Sequence, residues 1–383
     1  MGRVVLFKGV SDYLSLNTMV EGLAAAFGRR GFSPAILDMA AADYPDRIRA
    51  TLAAGDTALF VSLNGIGLPR EGGTFFDRRD EPVVALFVDH PIYHLDRLSV
   101  RLPNLHFAFP SRSHVAFCRP LRALHLPHAA EFRSPTPWAA RDISVLYCGS
   151  PLAADPEAQR AGWRAHGARA AAALEAIVAA HDIQPREPLE TVVARILGRP
   201  PEDREALRPF FLAADAYLRS RIKVAAIAAL ADAGIATTVC GRGWEGLSGR
   251  LRLLGSRTAP ETFALMDRSR LVLNLLPPYY ESHERVFQAM ASGAVAATTP
   301  SDLWDETGGL LSLPYEPKAL AAALADALAD DDRLAATAGD GRAIFLAGHT
   351  WDHRVDAILA FLAGERGSPV RRAPRETVDN KWE

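Results

Sequence analysis

Short apolar runs, separated by polar loops and amphipathic stretches, recur along the first third of this chain. The runs are bulky and uninterrupted, which is typical of strands in a parallel sheet that is covered on both faces. Between the first two runs a helix is predicted to start near Thr18, because Thr18 and Glu21 have the capping-box spacing. Strands that alternate with helices indicate a doubly wound parallel α/β sheet. The predicted strands are residues 4–7, 34–37, 57–63, 83–88, 106–109 and 123–126.

A second set of strands begins after a linker marked by Pro135 and Pro137. Residues from about 158 to 233 are rich in Ala, Leu, Arg and Glu with helical periodicity, which predicts about three helices inserted early in this second sheet. Beyond Gly364 the chain is rich in Pro, Arg and Glu and poor in apolar residues, which predicts disorder. The second set comprises strands at 143–147, 235–240, 251–254, 271–276 and 294–299, followed by helices at 318–329 and 351–362.

Length and composition exclude several classes of protein. The 383 residues exceed what one hydrophobic core usually holds, so two domains are expected. A net charge of -2 gives no general attraction to nucleic acid or to an anionic membrane. Cys118, Cys148 and Cys240 are widely spaced and odd in number, which argues against a disulfide framework. No apolar run approaches membrane-spanning length and the N-terminal run is too short for a signal peptide, so a soluble cytoplasmic protein is predicted.

A polar cluster follows the predicted strand at 271–276, where Pro277 and Pro278 end the strand. Ser282 has the position of a helix N-cap and Gly293 that of a C-terminal stop. Ligands bind at the carboxyl ends of strands in such sheets, and helix N-termini favour phosphate. Because Arg285 would neutralise a diphosphate there, we favour a binding site over the alternative of an ordinary exposed first turn. The cluster consists of Glu281, Ser282, His283, Glu284 and Arg285.

Two further loops are predicted at the same edge of the second sheet. Gly149 and Ser150 follow one strand, and residues 241–246 match the pattern G-x-G-x-x-G after another. A dinucleotide site would need a helix to begin at this pattern, and the residues that follow do not have helical periodicity. The loop is therefore expected either to approach another ligand or to be a plain turn. Arg219, Arg221 and Lys223 lie on the helix before this strand, as a solvated face or, alternatively, with one phosphate contact.

Polar residues also follow the strands of the first sheet. Asp89 and His90 end the strand at 83–88, where either would serve as a general base toward a substrate in a cleft. The alternative is a capped turn, and the same two interpretations apply to Asp12 and Asn64. His90 and His94 have the spacing of a metal-ligand pair, but no glutamate follows His90 and a proline does, so no metal site is predicted.

Several segments together resemble CgeB-like glycosyltransferases of the GT-B fold. ESHERVFQAMASGAVAATT, preceded by LVLNLL and VCGRGWEGL, is similar to their donor half, and RDISVLYCGS to their first C-domain strand. FVDHPIYHLDRL, SRSHVAFC and LPHAA resemble the end of their N-terminal domain, and HTWDHRVDAIL their returning C-terminal helix. The resemblance implies two Rossmann-like domains that face a cleft. The implied division is 1–138 (acceptor domain), 139–350 (donor domain with helical segment 158–233), 351–363 (returning helix) and 364–383 (tail).

The resemblance also implies roles for individual residues. No metal and no cofactor are expected, because a helix N-terminus and basic side chains would meet the charge of the diphosphate. Gln288 departs from the family, since many relatives have a glutamate there that holds the ribose, and the stereochemistry of transfer stays open. From their positions at the ends of strands in the first sheet, the catalytic candidates are His90, Asp89 and Asp12, with Asn64 and His94 on the acceptor side. The resemblance places Gly149, Gly241, Trp244, Asn274, Ser282, Arg285 and Phe287 in the donor site. With the neighbouring loop and helix residues, the predicted donor site also includes Ser150, Arg242, Gly243, Glu281, His283, Glu284 and Gln288.

The expected function is that of a hexosyltransferase-type enzyme. It would transfer a sugar from a nucleotide-diphosphate sugar to an unidentified glycan, protein or small molecule, with no nucleic acid or membrane span involved. One alternative is an epimerase or hydrolase of the same fold. Another is a nucleotide-binding protein that docks a partner through the segment 158–233, which is also a place for a homodimer contact. A dinucleotide oxidoreductase is the remaining alternative.

Overall fold

Two separate parallel sheets of six strands each form the framework of the molecule. The computed structural model describes residues 2–11, 14–68, 76, 79–247 and 251–367. The first sheet has the order β2-β1-β3-β4-β5-β6. Its strands are β1 (Arg3–Lys8), β2 (Ser33–Asp38), β3 (Thr57–Leu63), β4 (Val83–Leu86), β5 (Leu105–Phe109) and β6 (Ala123–His125).

The second sheet has the order β12-β11-β10-β7-β8-β9, and every pairing in both sheets is parallel. The fold class predicted from the sequence is therefore confirmed. In this sheet β8 pairs with one edge of β7 and β10 with the other, so the strand order reverses between β7 and β10, which is the switch point of the sheet. The order of the first sheet reverses in the same way between β1 and β3. The strands are β7 (Ile143–Cys148), β8 (Thr237–Cys240), β9 (Leu251–Leu253), β10 (Ser269–Asn274), β11 (Val295–Thr298) and β12 (Leu311–Ser312).

Helices cover both faces of the two sheets. In the first half they are α1 (Ser15–Arg29), α2 (Tyr44–Ala53), α3 (Leu95–Leu98) and α4 (Arg112–Phe117). The inserted segment contains α5 (Pro156–Ala161), α6 (Ala168–Ile183), α7 (Leu189–Leu197) and α8 (Arg204–Asp232). The remaining helices are α9 (Ala259–Asp267), α10 (Glu284–Ser292), α11 (Asp302–Thr307), α12 (Pro317–Leu328), α13 (Asp331–Gly348) and α14 (Trp351–Gly367). None of the helices in the described ranges has the length and apolarity that a membrane crossing requires.

The start of α1 differs from the prediction. The helix begins at Ser15 rather than Thr18, and the Thr18 hydroxyl donates back to the carbonyl of Ser15. The hydroxyl of Ser11 accepts from the amide of Leu16 and so meets one of the free donors of the first turn. The capping-box spacing of Thr18 and Glu21 is therefore not used as a cap, because a side chain outside the pattern already fills that role.

The inserted helical segment packs against both domains. Leu207, Phe211 and Leu218 of α8 lie in one hydrophobic cluster with residues of the first sheet and its loops. Ile227 and Leu230, farther along the same helix, lie in the cluster beneath the second sheet. The segment therefore connects the two domains in space, although it belongs to the second half of the sequence.

The last helix, α14, packs on α1 of the first domain. Trp351, Val355 and Ile358 join the cluster that contains residues of β1 and α1, and Arg30 pairs with Asp352 and Asp356 at the edge. The last helix therefore packs against the first domain, while the predicted division of the chain into domains stays a prediction. The helix continues to Gly367, and residues 368–383 of the expected tail lie outside the described residues.

The contact between α1 and α14 depends on a residue without a side chain. A Cβ added to Gly22 would lie 2.5 Å from two ring atoms of Trp351, closer than packed atoms approach. We expect Gly22→Ala to lower the free energy of unfolding by about 1–3 kcal/mol, because the rigid indole has to move. Gly28→Ala is the matched control on the same helix, where the nearest atom is 3.9 Å away. It should be neutral or stabilising by up to about 1 kcal/mol. Urea unfolding of both variants measures this, and equal effects would contradict the packing role of Gly22.

Candidate functional site

Two adjoining cavities lie where the carboxyl ends of both sheets meet. The larger, which we call the cleft cavity, has a volume of about 620 Å³ and is lined by loops after β1, β4, β7 and β10 and by α8. The smaller, the C-domain cavity, has a volume of about 300 Å³ and is lined almost entirely by the second domain. They share the five residues Ser15, Gly149, Ser150, Glu284 and Arg285. A ligand with two different ends would therefore pass from one cavity to the other beside Arg285.

Two glycine loops form the floor between the cavities. β7 and β8 are neighbours in the sheet, so the loops after Cys148 and Cys240 leave it side by side. A Cβ at Gly241 would lie 2.3 Å from the carbonyl oxygen of Gly149, and Gly241 has φ +133°, a conformation that other residues rarely adopt. The hydroxyl of Ser150 accepts from the amide of Arg242, which ties the loops together. The glycine pattern thus serves close packing of two loops.

The structure corrects the predicted role of the rest of this glycine pattern. Trp244 is 1% exposed, and its indole N–H donates to the carbonyl of Gly149 at 2.9 Å, so it supports the loop and does not line a cavity. Arg242 is exposed, and Gly243 packs against Pro151; neither residue lines one of the two cavities. The described residues between β8 and β9 contain no helix, so the arrangement lacks the helix that a dinucleotide site requires.

Arg285 lies at the start of α10 and faces both cavities. Its guanidinium donates to the side-chain oxygen of Asn274 at 3.2 Å and lies 5.7 Å from the ring centre of Tyr147. Asn274 in turn donates a hydrogen bond to the hydroxyl of Thr298. It therefore orients Arg285 from within the protein and does not itself line a cavity. Burial raises the pKa of Tyr147 to about 12, so this phenol stays neutral. No carboxylate pairs with Arg285 among the described residues, and its charge is available to a ligand.

The N-terminus of α10 differs in detail from the prediction. His283, not Ser282, is the N-cap, and its Nδ1 accepts from the amide of Arg285 at 3.2 Å. One of the free donors of the helix is therefore already used by a protein side chain. Burial and the neighbouring Arg285 hold the pKa of His283 well below its usual value, so the ring is neutral. The hydroxyl of Ser282 instead accepts from the amide of His128, which joins α10 to the first domain.

Two more cations reach the cleft cavity from α8. Arg219 and Lys223, one turn apart, both line it, whereas Arg221 points away and pairs with Asp182. Nζ of Lys223 donates to the carbonyl of Ser150 at 3.1 Å. Burial, together with the charges of Arg219 and Arg285, lowers the pKa of Lys223 to about 7. The prediction of a solvated face is thus wrong for Arg219 and Lys223. Their i, i+4 spacing showed that the two side chains share one face of α8, but the sequence did not show that this face is turned toward the cleft.

Asp89 is the carboxylate of the first domain that faces the cleft cavity. Asn64 donates to its Oδ2 at 2.8 Å, and Nε2 of His94 lies 3.6 Å from the same oxygen. Desolvation by the cleft walls favours the protonated form, but His94, Arg219 and Asn64 outweigh it and lower the pKa of Asp89. About half of its side chain, 54%, is exposed, so an ionised carboxylate is accessible to a substrate hydroxyl. Asn64 and His94, predicted on the acceptor side, hold this carboxylate.

His90, the neighbouring catalytic candidate, points into the protein. Its ring is 3% exposed and lies 4.2 Å from the ring centre of Phe211. Nδ1 accepts from the amide of Ile92, and Nε2 lies 3.2 Å from a carboxylate oxygen of Glu190. The predicted role as a base in the cleft is therefore wrong, because Nδ1 is used within the first domain and Nε2 in the contact with the helical segment.

Two other candidates, Phe287 and Glu281, do not line the cavities. Phe287 is fully buried and stacks on His349 at 4.5 Å between ring centres. Glu281 binds the backbone amide and side chain of Arg112 in the first domain, so its carboxylate joins the domains. Asp12 lies outside the described residues.

Glu284 and Gln288 do line the site. Glu284 faces both cavities, with a carboxylate oxygen 3.5 Å from Nε2 of His283, and Gln288 faces the C-domain cavity one helical turn later. Together with Gly149, Ser150, Gly241, Ser282, His283 and Arg285, they are the predicted donor-site residues that the structure brings together. Sequence reasoning missed the two thiols of Cys148 and Cys240, which lie side by side at this cavity and are both free. Among the described residues no group of three or more His, Cys, Asp or Glu is placed to hold a metal ion.

The arrangement of two parallel sheets around a cleft is similar to that of several proteins of known structure. The structure is similar to sucrose-phosphate synthase of Thermosynechococcus elongatus, with a TM-score of 0.56, 13% identity, and coverage of 96% of this chain and 100% of the other. It is also similar to the T4 phage β-glucosyltransferase in complex with UDP and Mn²⁺ (TM-score 0.52, 11% identity, coverage 96% and 99%). Anabaena HepE in complex with UDP and glucose has a TM-score of 0.52 and 12% identity, with coverage of 96% and 100%. The chain therefore has the GT-B fold of these glycosyltransferases.

A family model matches the chain by sequence, mainly over the second domain. Residues 219–360 match the family model described as "Glycosyl transferase-like". The matched segment begins at Arg219, on the part of α8 that faces the cleft, and includes the whole of α10. No curated protein sequence matches the chain significantly. The narrower resemblance to CgeB-like enzymes stays a prediction.

The approach of the two glycine loops generates a prediction. We expect Gly241→Ala to lower the free energy of unfolding by about 2 kcal/mol or more, because an alanine is strained at φ +133° and its Cβ would overlap the carbonyl group of Gly149. Gly246→Ala is the matched control, since a Cβ there meets no atom within 4 Å. Denaturant unfolding compares the two. If both substitutions had the same effect, the packing role assigned to the first glycine of the pattern would be wrong.

Proposed function

We propose that the protein is a glycosyltransferase that transfers a sugar from a nucleotide-diphosphate donor to a nucleophile in the cleft. The observation that carries this proposal is the convergence of Arg219, Lys223 and Arg285 on one cavity at the switch point of the second sheet. Arg219 and Arg285 face two carboxylates, Asp89 and Glu284, and Lys223, with a pKa of about 7, adds a further positive charge when it is protonated. A bound anion would favour the protonated form of Lys223. A diphosphate would contact these cations and the glycine loop at 149–150.

The C-domain cavity would hold the nucleoside of the donor. It combines apolar walls, among them Phe263 and Met266, with polar side chains such as Thr262 and Gln288. This mixture suits a base and a ribose. The carboxylate of Glu284, at the junction, would bind a hydroxyl of the ribose or of the sugar. UDP is the first nucleotide to test, because the similar T4 and Anabaena proteins were crystallised with it.

The reaction would follow from the placement of charges. In an inverting transfer, Asp89 would accept the proton of the acceptor hydroxyl while that oxygen attacks the anomeric carbon. The bond from this carbon to the diphosphate breaks, and the negative charge that develops on the leaving group is stabilised by Arg285, Arg219 and Lys223. No metal or cofactor is part of this proposal. A cytoplasmic location fits the three free cysteines.

The donor site is tested by Arg285→Ala. We expect UDP binding to weaken by about tenfold or more and turnover of the donor sugar to fall by about 10²–10³-fold, because charge stabilisation of the leaving group is lost. Calorimetry measures the first and release of nucleotide diphosphate the second. The matched control is Arg49→Ala, an exposed arginine whose ion-pair partner is Asp46. Unchanged binding and turnover in Arg285→Ala would reject the donor site.

The base is tested by Asp89→Asn and by pH. We expect this substitution to lower the transfer rate by about 10²–10⁴-fold with little change in donor affinity. Because the pKa of Asp89 is lowered, the acidic limb of kcat/KM should lie below the usual range of a carboxyl group.

Asn64→Ala supplies the matching control for the pH effect. It removes a hydrogen bond that favours the ionised form, so the acidic limb should move to higher pH while the rate at neutral pH stays near that of the wild type. An acidic limb that stays in place in Asn64→Ala, or full activity of Asp89→Asn, would remove Asp89 from the mechanism.

A further inference from the structure

A buried carboxylate in α8 lies behind the cleft cavity. Asp215 has no exposed surface, and three phenols converge on it. Tyr279 and Tyr280 donate to its Oδ1 at 2.8 Å, and Tyr93 donates to its Oδ2. The three tyrosines come from two domains, because Tyr93 follows β4 and the other two follow β10. Burial, aided by the charge of Asp215, raises the pKa of all three phenols, so they remain donors.

Arg219 is the cation next to this cluster. Its guanidinium nitrogen lies 3.5 Å from Oδ2 of Asp215, one helical turn away, and its charged carbon lies 5.4 Å from the ring centre of Tyr280. Both Arg219 and Tyr280 line the cleft cavity, whereas Asp215 does not. Nε of Arg219 is buried and has no hydrogen-bond partner within the described structure. Arginine has many rotamers, and these contacts select the one that faces the cleft.

We propose that Asp215 and Tyr93 are positioning residues that hold Arg219 against the anionic part of the donor. This inference rests on the proposed function, because the ligand of Arg219 is the diphosphate or sugar of that donor. Since Tyr93 belongs to the first domain, the orientation of Arg219 depends on how the two domains are arranged at this wall of the cleft. Tyr280, from the second domain, contacts both Asp215 and Arg219 and so also holds the Arg219 side chain in this orientation.

A purely structural role would give different results from a positioning role. A satisfied buried carboxylate contributes to stability whatever Arg219 does, so its loss would affect unfolding and ligand binding independently. If the cluster positions Arg219, a substitution in the cluster should weaken ligand binding only while the Arg219 side chain is present. Tyr93→Phe is the mildest perturbation, because it removes a single hydroxyl and preserves the ring.

The experiment is a double-mutant cycle on ligand affinity. Dissociation constants for UDP and for inorganic pyrophosphate are measured by calorimetry for wild type, Tyr93→Phe, Arg219→Ala and the double variant, below the unfolding temperature of each. We expect Tyr93→Phe to weaken both ligands about tenfold in the wild-type background and to have no further effect once Arg219 is alanine. Asp215→Asn should behave in the same way, provided that it folds.

Tyr315→Phe is the matched control. It also removes a phenol hydroxyl from a hydrogen bond, here to His181, away from both cavities, and it should leave both dissociation constants unchanged. Equal effects of Tyr93→Phe with and without Arg219, or no effect at all, would overturn the positioning role while Arg285→Ala still tests the donor site. A wild-type protein that binds neither ligand would reject the proposed function and this inference together.

Discussion

One continuous helix holds the two domains together. The first half of α8 is part of a hydrophobic cluster that includes Phe87 and Ile92 of the first domain, and its second half lies beneath the second sheet. A helix cannot bend sharply without a defect in its hydrogen bonding, and Pro209, the proline inside α8, lies in its first two turns, away from the crossing between the domains. The cleft therefore has one rigid wall, and the cations on that wall keep a fixed distance from the glycine loop.

That wall carries charges where a core would normally be apolar. Asp215 and Lys223 are almost completely buried, which costs several kcal/mol per ion unless partners compensate. Asp215 is compensated by three phenols, and Lys223 by the carbonyl of Ser150 and by a pKa near neutrality. Residues that serve folding alone would be apolar at such positions. In the proposed function Lys223 faces the anionic part of the donor and Asp215 positions Arg219 beside it, which would account for polar residues at positions where apolar ones would cost less.

The sequence predicted those features that depend on local pattern. Uninterrupted apolar runs identified the principal strands of both sheets, and the polar residues after them identified the edge where the cavities lie. The direction of single side chains was not predictable in this way. Asp89 and His90 are adjacent, yet the short helical turn at Pro91–His94 directs one to the cleft and the other to Phe211. Trp244 and Phe287 lie close in sequence to residues that line the cavities, but their own side chains are buried in the core. Arg219 and Lys223 line the cleft cavity because α8 passes along it, and the path of a helix through the fold is a tertiary property that local sequence does not specify.

The docking of α14 on α1 has a consequence for how the molecule is made. One apolar face of the first sheet, with Val4, Leu6 and Leu59, is covered by Val355, Ile358 and Leu362 from the last helix. During synthesis, α1 can cover part of this face early, but the part beneath α14 stays open until that helix has been added, about 340 residues after β1. The core of the first domain is thus completed only after the strands of the second domain have been made, which leaves an apolar surface exposed in the meantime.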